Sequence, residues 1–135
     1  MNQEHFDLLK QGVQKWNAWR KAHPNILPDL SRADLKWMDL RGANLGGANL
    51  HQALLNGADF RDANLCKADL SEANLSKACF YRACLNWANL QKADLYKADL
   101  RGAEFFRTNL QDADLSDAEL CPEDLDLLSS EPKQA

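Results

Sequence analysis

Between Ala33 and Leu120 the chain repeats every five residues without insertion or slip. The tract opens with Ala33-Asp34-Leu35-Lys36-Trp37 and Met38-Asp39-Leu40-Arg41-Gly42, and the last repeat is Ala118-Glu119-Leu120-Cys121-Pro122. Each repeat is centred on one large apolar residue. There are 18 centres, of which 15 are Leu and three are Phe60, Phe80 and Phe105. Two positions earlier stands Ala in 16 of 18 repeats, Met38 and Thr108 being the exceptions. The residue between them is Asp or Asn in 13 of 18. A fixed internal period marks a repeat architecture and has to be settled before local propensities are read.

Five residues suit neither ordinary element. On a helix turning about 100° per residue, successive centres would drift around the axis and leave no single buried face. On a flat strand an odd period sends successive centres to opposite sides. The remaining solution pairs each Ala with the centre two residues on, both pointing inward from extended chain. The next two residues then turn the chain, so that the following pair also points inward. The result is a coil with apolar residues along its axis and the other three positions facing water. Ala fits the crowded inside of a turn, and each buried Leu stabilises by about 1.5–3 kcal/mol. Asp and Asn bond nearby backbone N–H groups and favour turns. Stacked coils about 4.8 Å apart satisfy one another's backbone groups.

The Ala-(Asp/Asn)-Leu-x-x pattern from Ala33 to about Cys121 resembles the pentapeptide-repeat family. That resemblance covers about two thirds of the chain. It implies an all-β solenoid: a right-handed quadrilateral β-helix with five residues per side and twenty per coil. It also implies a bacterial source of cyanobacterial type. The four-sidedness belongs to the resemblance, not to the period alone.

At 135 residues one repeat domain is expected. Its length would be about 22 Å, from about 4.5 coils at about 4.8 Å. No apolar run approaches 18 residues, and the first ten residues carry neither a basic nor an apolar leader segment, so a cytoplasmic protein is expected. The four cysteines are Cys66, Cys79, Cys84 and Cys121. No two of them stand twenty apart, so reduced thiols are expected. His5, His23 and His51 are scattered and no Cys-x-x-Cys occurs, so neither a metal nor any other cofactor is expected.

Residues 1–29 read as a capping helix and linker, 30–121 as the repeats, and 122–135 as a C-terminal cap and disordered tail. Phe6, Leu9, Val13 and Trp16 form a helical stripe over residues 3–22, with Trp19 at its edge and Asn2 as N-cap. Such a helix would cover the open first coil, whose backbone groups lack a neighbour. Leu30 reads as an irregular first centre and Met38 as a sign of a looser first coil. Pro122, Glu123 and Asp124 suit a first helical turn, after which Leu125, Leu127 and Leu128 would cover the last coil. An end-to-end dimer contact is the alternative use of that end.

Function is sought in the outward columns. In the twenty-residue coil that the resemblance implies, Arg41, Arg61, Tyr81 and Arg101 follow stacked centres and form a partly basic ladder beside Asp39, Asp59, Cys79 and Asp99. On the next side Lys67, Trp87 and Arg107 should stack, with Asn86 and Phe106 alongside. Exposed Trp and Phe are the anchors that interfaces use, and Trp87 between two cations would make cation–π contacts. Trp37, Leu54 and Gly57 share another side.

No nucleophile–base set, phosphate loop or metal motif is present, so catalysis is not expected. The family resemblance also raises duplex-DNA mimicry directed at gyrase. Duplex DNA presents one charge per about 1.7 Å, on the order of 13 over this length. Residues 33–120 hold 13 Asp and Glu against 10 Lys and Arg, a net of −3. The expectation is therefore an interaction or scaffold module for an unknown protein partner, a monomer or end-to-end homodimer, without direct nucleic-acid or membrane binding.

Overall fold

The computed structural model describes residues 1–125 of the chain. From Asp29 onward the backbone winds in coils of twenty residues. Each residue preceding a centre forms a parallel bridge with the residue twenty positions on, from Asp29 with Asn49 to Asp99 with Glu119. Four turns per coil divide it into four faces. We number them by their centres: the first carries Leu30, Leu50, Leu70, Leu90 and Leu110, and the second Leu35 to Leu115. The third carries Leu40, Phe60, Phe80, Leu100 and Leu120, and the fourth Leu45, Leu65, Leu85 and Phe105.

The turns explain the five-residue beat. The Ala N–H donates to the carbonyl of the preceding centre, as from Ala48 to Leu45 at 3.0 Å and from Ala68 to Leu65 at 3.0 Å. The second residue after each centre has positive φ, for example 65° at Lys67, 65° at Trp87 and 56° at Arg107. This combination is a type II turn, whose third position favours glycine. Most of these positions hold side chains instead, so stacking contacts outweigh a local cost of about 1–2 kcal/mol each. The Asp or Asn before the centre accepts a hydrogen bond from the N–H two residues on, as from Cys66 to Asn64 at 2.9 Å. Only three residues lie between successive turns. Each bridge is therefore isolated, and no longer strand forms among the described residues. Continuous β-strands, implied by an all-β reading, are replaced by single-residue bridges.

The axis is filled as the period requires. Centres from Leu30 to Leu100 and their alanines are essentially solvent-free. Phe60 and Phe80 stack in it with centroids 4.9 Å apart and planes 9° apart. Met38, an exception in the Ala column, packs against this core only partly buried. Thr108, the other, is buried and its hydroxyl donates to the Leu85 carbonyl at 2.7 Å, which offsets the cost of placing a polar group there.

The single N-terminal helix expected over residues 3–22 is two helices, α1 (Gln3–Lys10) and α2 (Val13–Ala22). Gly12 breaks it with φ of 112°, a conformation closed to most side chains. The break turns both Leu9 and Trp16 into the core. Asn2 caps α1 by accepting from the His5 N–H at 3.1 Å.

These helices stand in for a missing coil. In the regular stack the N–H before a centre donates to the coil below, and its carbonyl accepts from that coil, as Asn64 shows with Ala43 and Leu45. Below Asn44 the partners are instead the Asn17 Oδ1, at 2.8 Å, and the Trp16 Nε1–H, at 2.8 Å. Arg20 Nη2 donates to the Gly46 carbonyl at 2.8 Å. Below Asp29 the same two roles fall to His5 Nδ1, at 3.0 Å, and the Asn2 N–H, at 2.9 Å. Backbone groups left open at the end of a repeat array are thereby satisfied on two faces.

At the other end the described part of the expected C-terminal cap, residues 122–125, holds a single 3-10 turn, Pro122–Asp124. Leu125 after it is 49% exposed and does not cover the last coil. Leu127, Leu128 and the tail from Glu131 lie outside the described residues.

The expectation of four reduced thiols is corrected. Cys66 and Cys84 form a disulfide across 18 residues, with Cα atoms 5.7 Å apart. A residue following one centre lies diagonally beneath the residue preceding the next centre up, so an offset of 18 reaches as well as one of twenty. Cys79 and Cys121 are free. Thiol titration of the denatured but unreduced chain should find two groups, and four after reduction; four before reduction would contradict the bridge.

Candidate functional site

Two surfaces carry the side chains singled out above. On the third face, Arg41, Arg61 and Arg101 each fold back on the carboxylate two residues earlier. Arg41 donates to Asp39 at 2.8 and 2.7 Å, and Arg101 to Asp99 at 2.8 and 2.8 Å. Arg61 does the same with Asp59, its shortest bond being 2.6 Å. Arg41 also reaches Asp59 of the next coil at 3.8 Å. The hydrogen bonds from Arg41 hold the Asp39 carboxyl down at about 2, and those from Arg61 and Arg101 lower Asp59 and Asp99. The ladder is thus internally neutralised.

Cys79 and Tyr81 interrupt this ladder between two Asp–Arg pairs. They line an open groove of about 530 Å³ with Gly57, Asp59, Arg61, Asp99 and Arg101. Burial pushes the Cys79 thiol up, away from the reactive thiolate. Arg101 lies 5.8 Å from the Tyr81 ring centroid.

The edge between the fourth and first faces is different. Trp87 is 51% exposed and Phe106 is 60% exposed. Their rings meet edge to face at 5.8 Å. Arg107 covers both, at 5.3 Å from the Trp87 centroid and 5.5 Å from that of Phe106. Lys67 stands in the same column one coil below Trp87 but forms no cation–π contact with it. The expected sandwich of Trp87 between two cations is a one-sided contact with Arg107. Neither Arg107 nor Lys67 has a carboxylate within ion-pair reach among the described residues.

The local chemistry explains how this edge is held. Glu104 stands where Asp or Asn usually bonds the N–H two residues on. Asn86 of the coil below takes over that bond, accepting from the Phe106 N–H at 2.8 Å. Its Nδ2 in turn donates to Glu104 at 2.9 Å. Phe106 is thereby tied to the coil that bears Trp87. The Cys66–Cys84 bridge ties that coil to the one bearing Lys67.

Sequence reasoning did not foresee the bridge or the seat of Trp37. The Trp37 ring lies flat on Gly57 of the next coil, where a Cβ would overlap it. A second unforeseen grouping is Cys121, Glu123 and Asp124, whose ligand-type atoms lie within 4.8 Å of one another at the last coil. No helix among the described residues is long and apolar enough to cross a membrane.

A family model for pentapeptide repeats matches residues 29–47, 43–82 and 83–120, in 8 copies. Among solved structures, a pentapeptide repeat protein from the Arabidopsis thaliana thylakoid lumen is 37% identical, over 75% of this chain and 70% of that one, with a TM-score of 0.72. Rfr23 from the cyanobacterium Cyanothece is 32% identical over 66% of this chain and 60% of that one, TM-score 0.37. HetL from the cyanobacterium Nostoc, involved in heterocyst differentiation regulation, is 36% identical over 67% of this chain and 46% of that one, TM-score 0.33. No curated protein matches the chain.

Proposed function

The chain belongs to the pentapeptide-repeat family, and on that premise we propose that it is a non-enzymatic interaction module, a right-handed quadrilateral β-helix that presents rigid columns of side chains to a protein partner. The observation that supports this is the Trp87–Phe106–Arg107 cluster: two large aromatic rings more than half exposed, in contact with each other and with the Arg107 guanidinium, on a backbone tied by the Asn86 bond to the Phe106 N–H. Preorganised aromatic and Arg side chains are the types that dominate binding hot spots. Ordering them costs little at the moment of association.

The duplex-DNA-mimic reading has no such support. Its best carboxylate column, Asp39, Asp59 and Asp99, is neutralised by Arg41, Arg61 and Arg101. A partly buried disulfide fits a compartment in which disulfides persist better than the cytoplasm. The thylakoid-lumen source of the 37% identical relative points the same way.

A double variant, Trp87→Ala with Phe106→Ala, tests the surface. Both rings are outside the core, so its circular dichroism and unfolding midpoint should match the parent's. Loss of a partner captured by the parent from source-cell lysate is the expected result. Equal capture by parent and variant would remove this edge from the account.

A further inference from the structure

The edge just described also constrains the shape and charge of what it binds, an inference that rests on the reading above. Lys67, Trp87 and Arg107 occupy one position in three consecutive coils. With coils about 4.8 Å apart, the two cations originate about 9.6 Å from each other along the rod, with Trp87 midway. Phe106 adjoins Trp87 and widens the apolar centre. Below Lys67 the column continues through Gly47 to Leu27, which is 65% exposed. The Leu27 side chain lies over Gly47, 2.9 Å from where a Cβ would stand.

Charge selects the partner's sign. Arg41, Arg61 and Arg101 are bound to their own carboxylates, whereas Arg107 and Lys67 are not. Glu104, the acidic member of this cluster, accepts from Asn86. A carboxylate brought to Arg107 would displace no internal partner. It would bind an exposed guanidinium already positioned over two rings.

Spacing selects the partner's form. A strand places side chains on one face about 6.6 or 13.2 Å apart, bracketing the required distance without meeting it. A helix places residues i and i+7 about 10.5 Å apart on one face, with i+3 and i+4 between them. We propose that the Lys67–Trp87–Arg107 edge docks an amphipathic helix of a partner protein laid along the rod, with acidic residues at i and i+7 and apolar residues at i+3 and i+4. The two carboxylates pair with Lys67 and Arg107, and the apolar pair packs on Trp87 and Phe106.

The test uses the full chain and three synthetic peptides of matched length. One carries Glu at i and i+7 with Leu at i+3 and i+4 on a helix-forming Ala/Gln background. The second has Lys in place of both Glu. The third rearranges the first peptide's composition into strict apolar–polar alternation. Binding is followed to millimolar peptide by the shift of the Trp87 indole N–H resonance, assigned with Trp87→Phe. The first peptide should bind, and more than about tenfold more tightly than either control. Arg107→Gln should weaken it by at least about tenfold, as loss of a hot-spot Arg does. Absence of binding by the first peptide, equal binding by either control, or indifference to Arg107→Gln would overturn the proposal. If the Trp87/Phe106 double variant loses lysate capture while the peptide result is negative, only the helix inference falls. If capture is also unchanged, the surface itself is wrong.

Discussion

Replacing Phe80 with Ala is expected to lower the unfolding free energy by about 3–5 kcal/mol. The side chain is fully buried and lies face to face with Phe60 across one coil spacing. Its removal leaves a cavity walled by fixed backbone. The coils above and below are held by bridges from Asp59 to Cys79 and from Cys79 to Asp99, so the wall cannot collapse inward. Phe80→Leu restores the residue found at most other centres and should cost less than about 1.5 kcal/mol beyond the lost ring contact. Urea unfolding followed by far-UV circular dichroism measures both. A loss below about 1 kcal/mol for Phe80→Ala would mean that the third-face centres are not packed in an axis.

Trp16→Ala should be comparably severe, at about 3–5 kcal/mol, but by a different route. Trp16 is fully buried against the first coil and its Nε1–H satisfies the Asn44 carbonyl. Truncation opens the lower end of the axis and leaves a backbone acceptor without its donor. Trp16→Phe separates the two effects. It keeps most of the apolar area and should cost about 1–3 kcal/mol for the orphaned carbonyl. In a repeat array each coil is stabilised by its neighbours, so damage at the cap is felt first by the nearest coil. Amide exchange at Asn44 and Leu45 should therefore accelerate more than at Leu85. Uniform acceleration along the rod would contradict the capping role.

The five-beat pattern carried most of the architecture because each position has one steric task. Ala is read as the inside of a turn, Leu and Phe as the axis, and Asp or Asn as the acceptor for a turn N–H. The two departures from Ala were visible as exceptions, but not their outcome: Thr108 is buried with its hydroxyl on the Leu85 carbonyl, and Met38 is only partly buried against the core. Three features were not legible, for physical reasons. The Gly12 break depends on a backbone angle that helical periodicity does not encode. The Cys66–Cys84 bridge depends on a diagonal neighbour, invisible when only vertical columns are considered. The pairing of Trp37 with Gly57 was visible as a shared side, but not as one ring seated on a bare backbone.

The candidate site divides in the same way. Column membership followed from the five-residue period together with the four-sided coil that the family resemblance implies, which puts Lys67, Trp87 and Arg107 in one column. Side-chain reach did not follow. Arg107 turns onto both rings while Lys67 does not, and the third-face arginines turn back onto Asp39, Asp59 and Asp99. Columns alike in sequence are thus unequal surfaces: one is neutralised from within, and in the other Lys67 and Arg107 form no ion pair among the described residues.

Backbone nuclear Overhauser contacts in the labelled protein test the twenty-residue coil most directly. The bridges require close approach between residues such as Asn64 and Cys84, Asp69 and Asn89, and Asn74 and Asp94. Cross-peaks at that offset on all four faces are the predicted result. Their absence, with medium-range contacts three and four residues apart running through the repeats instead, would show that the chain does not coil.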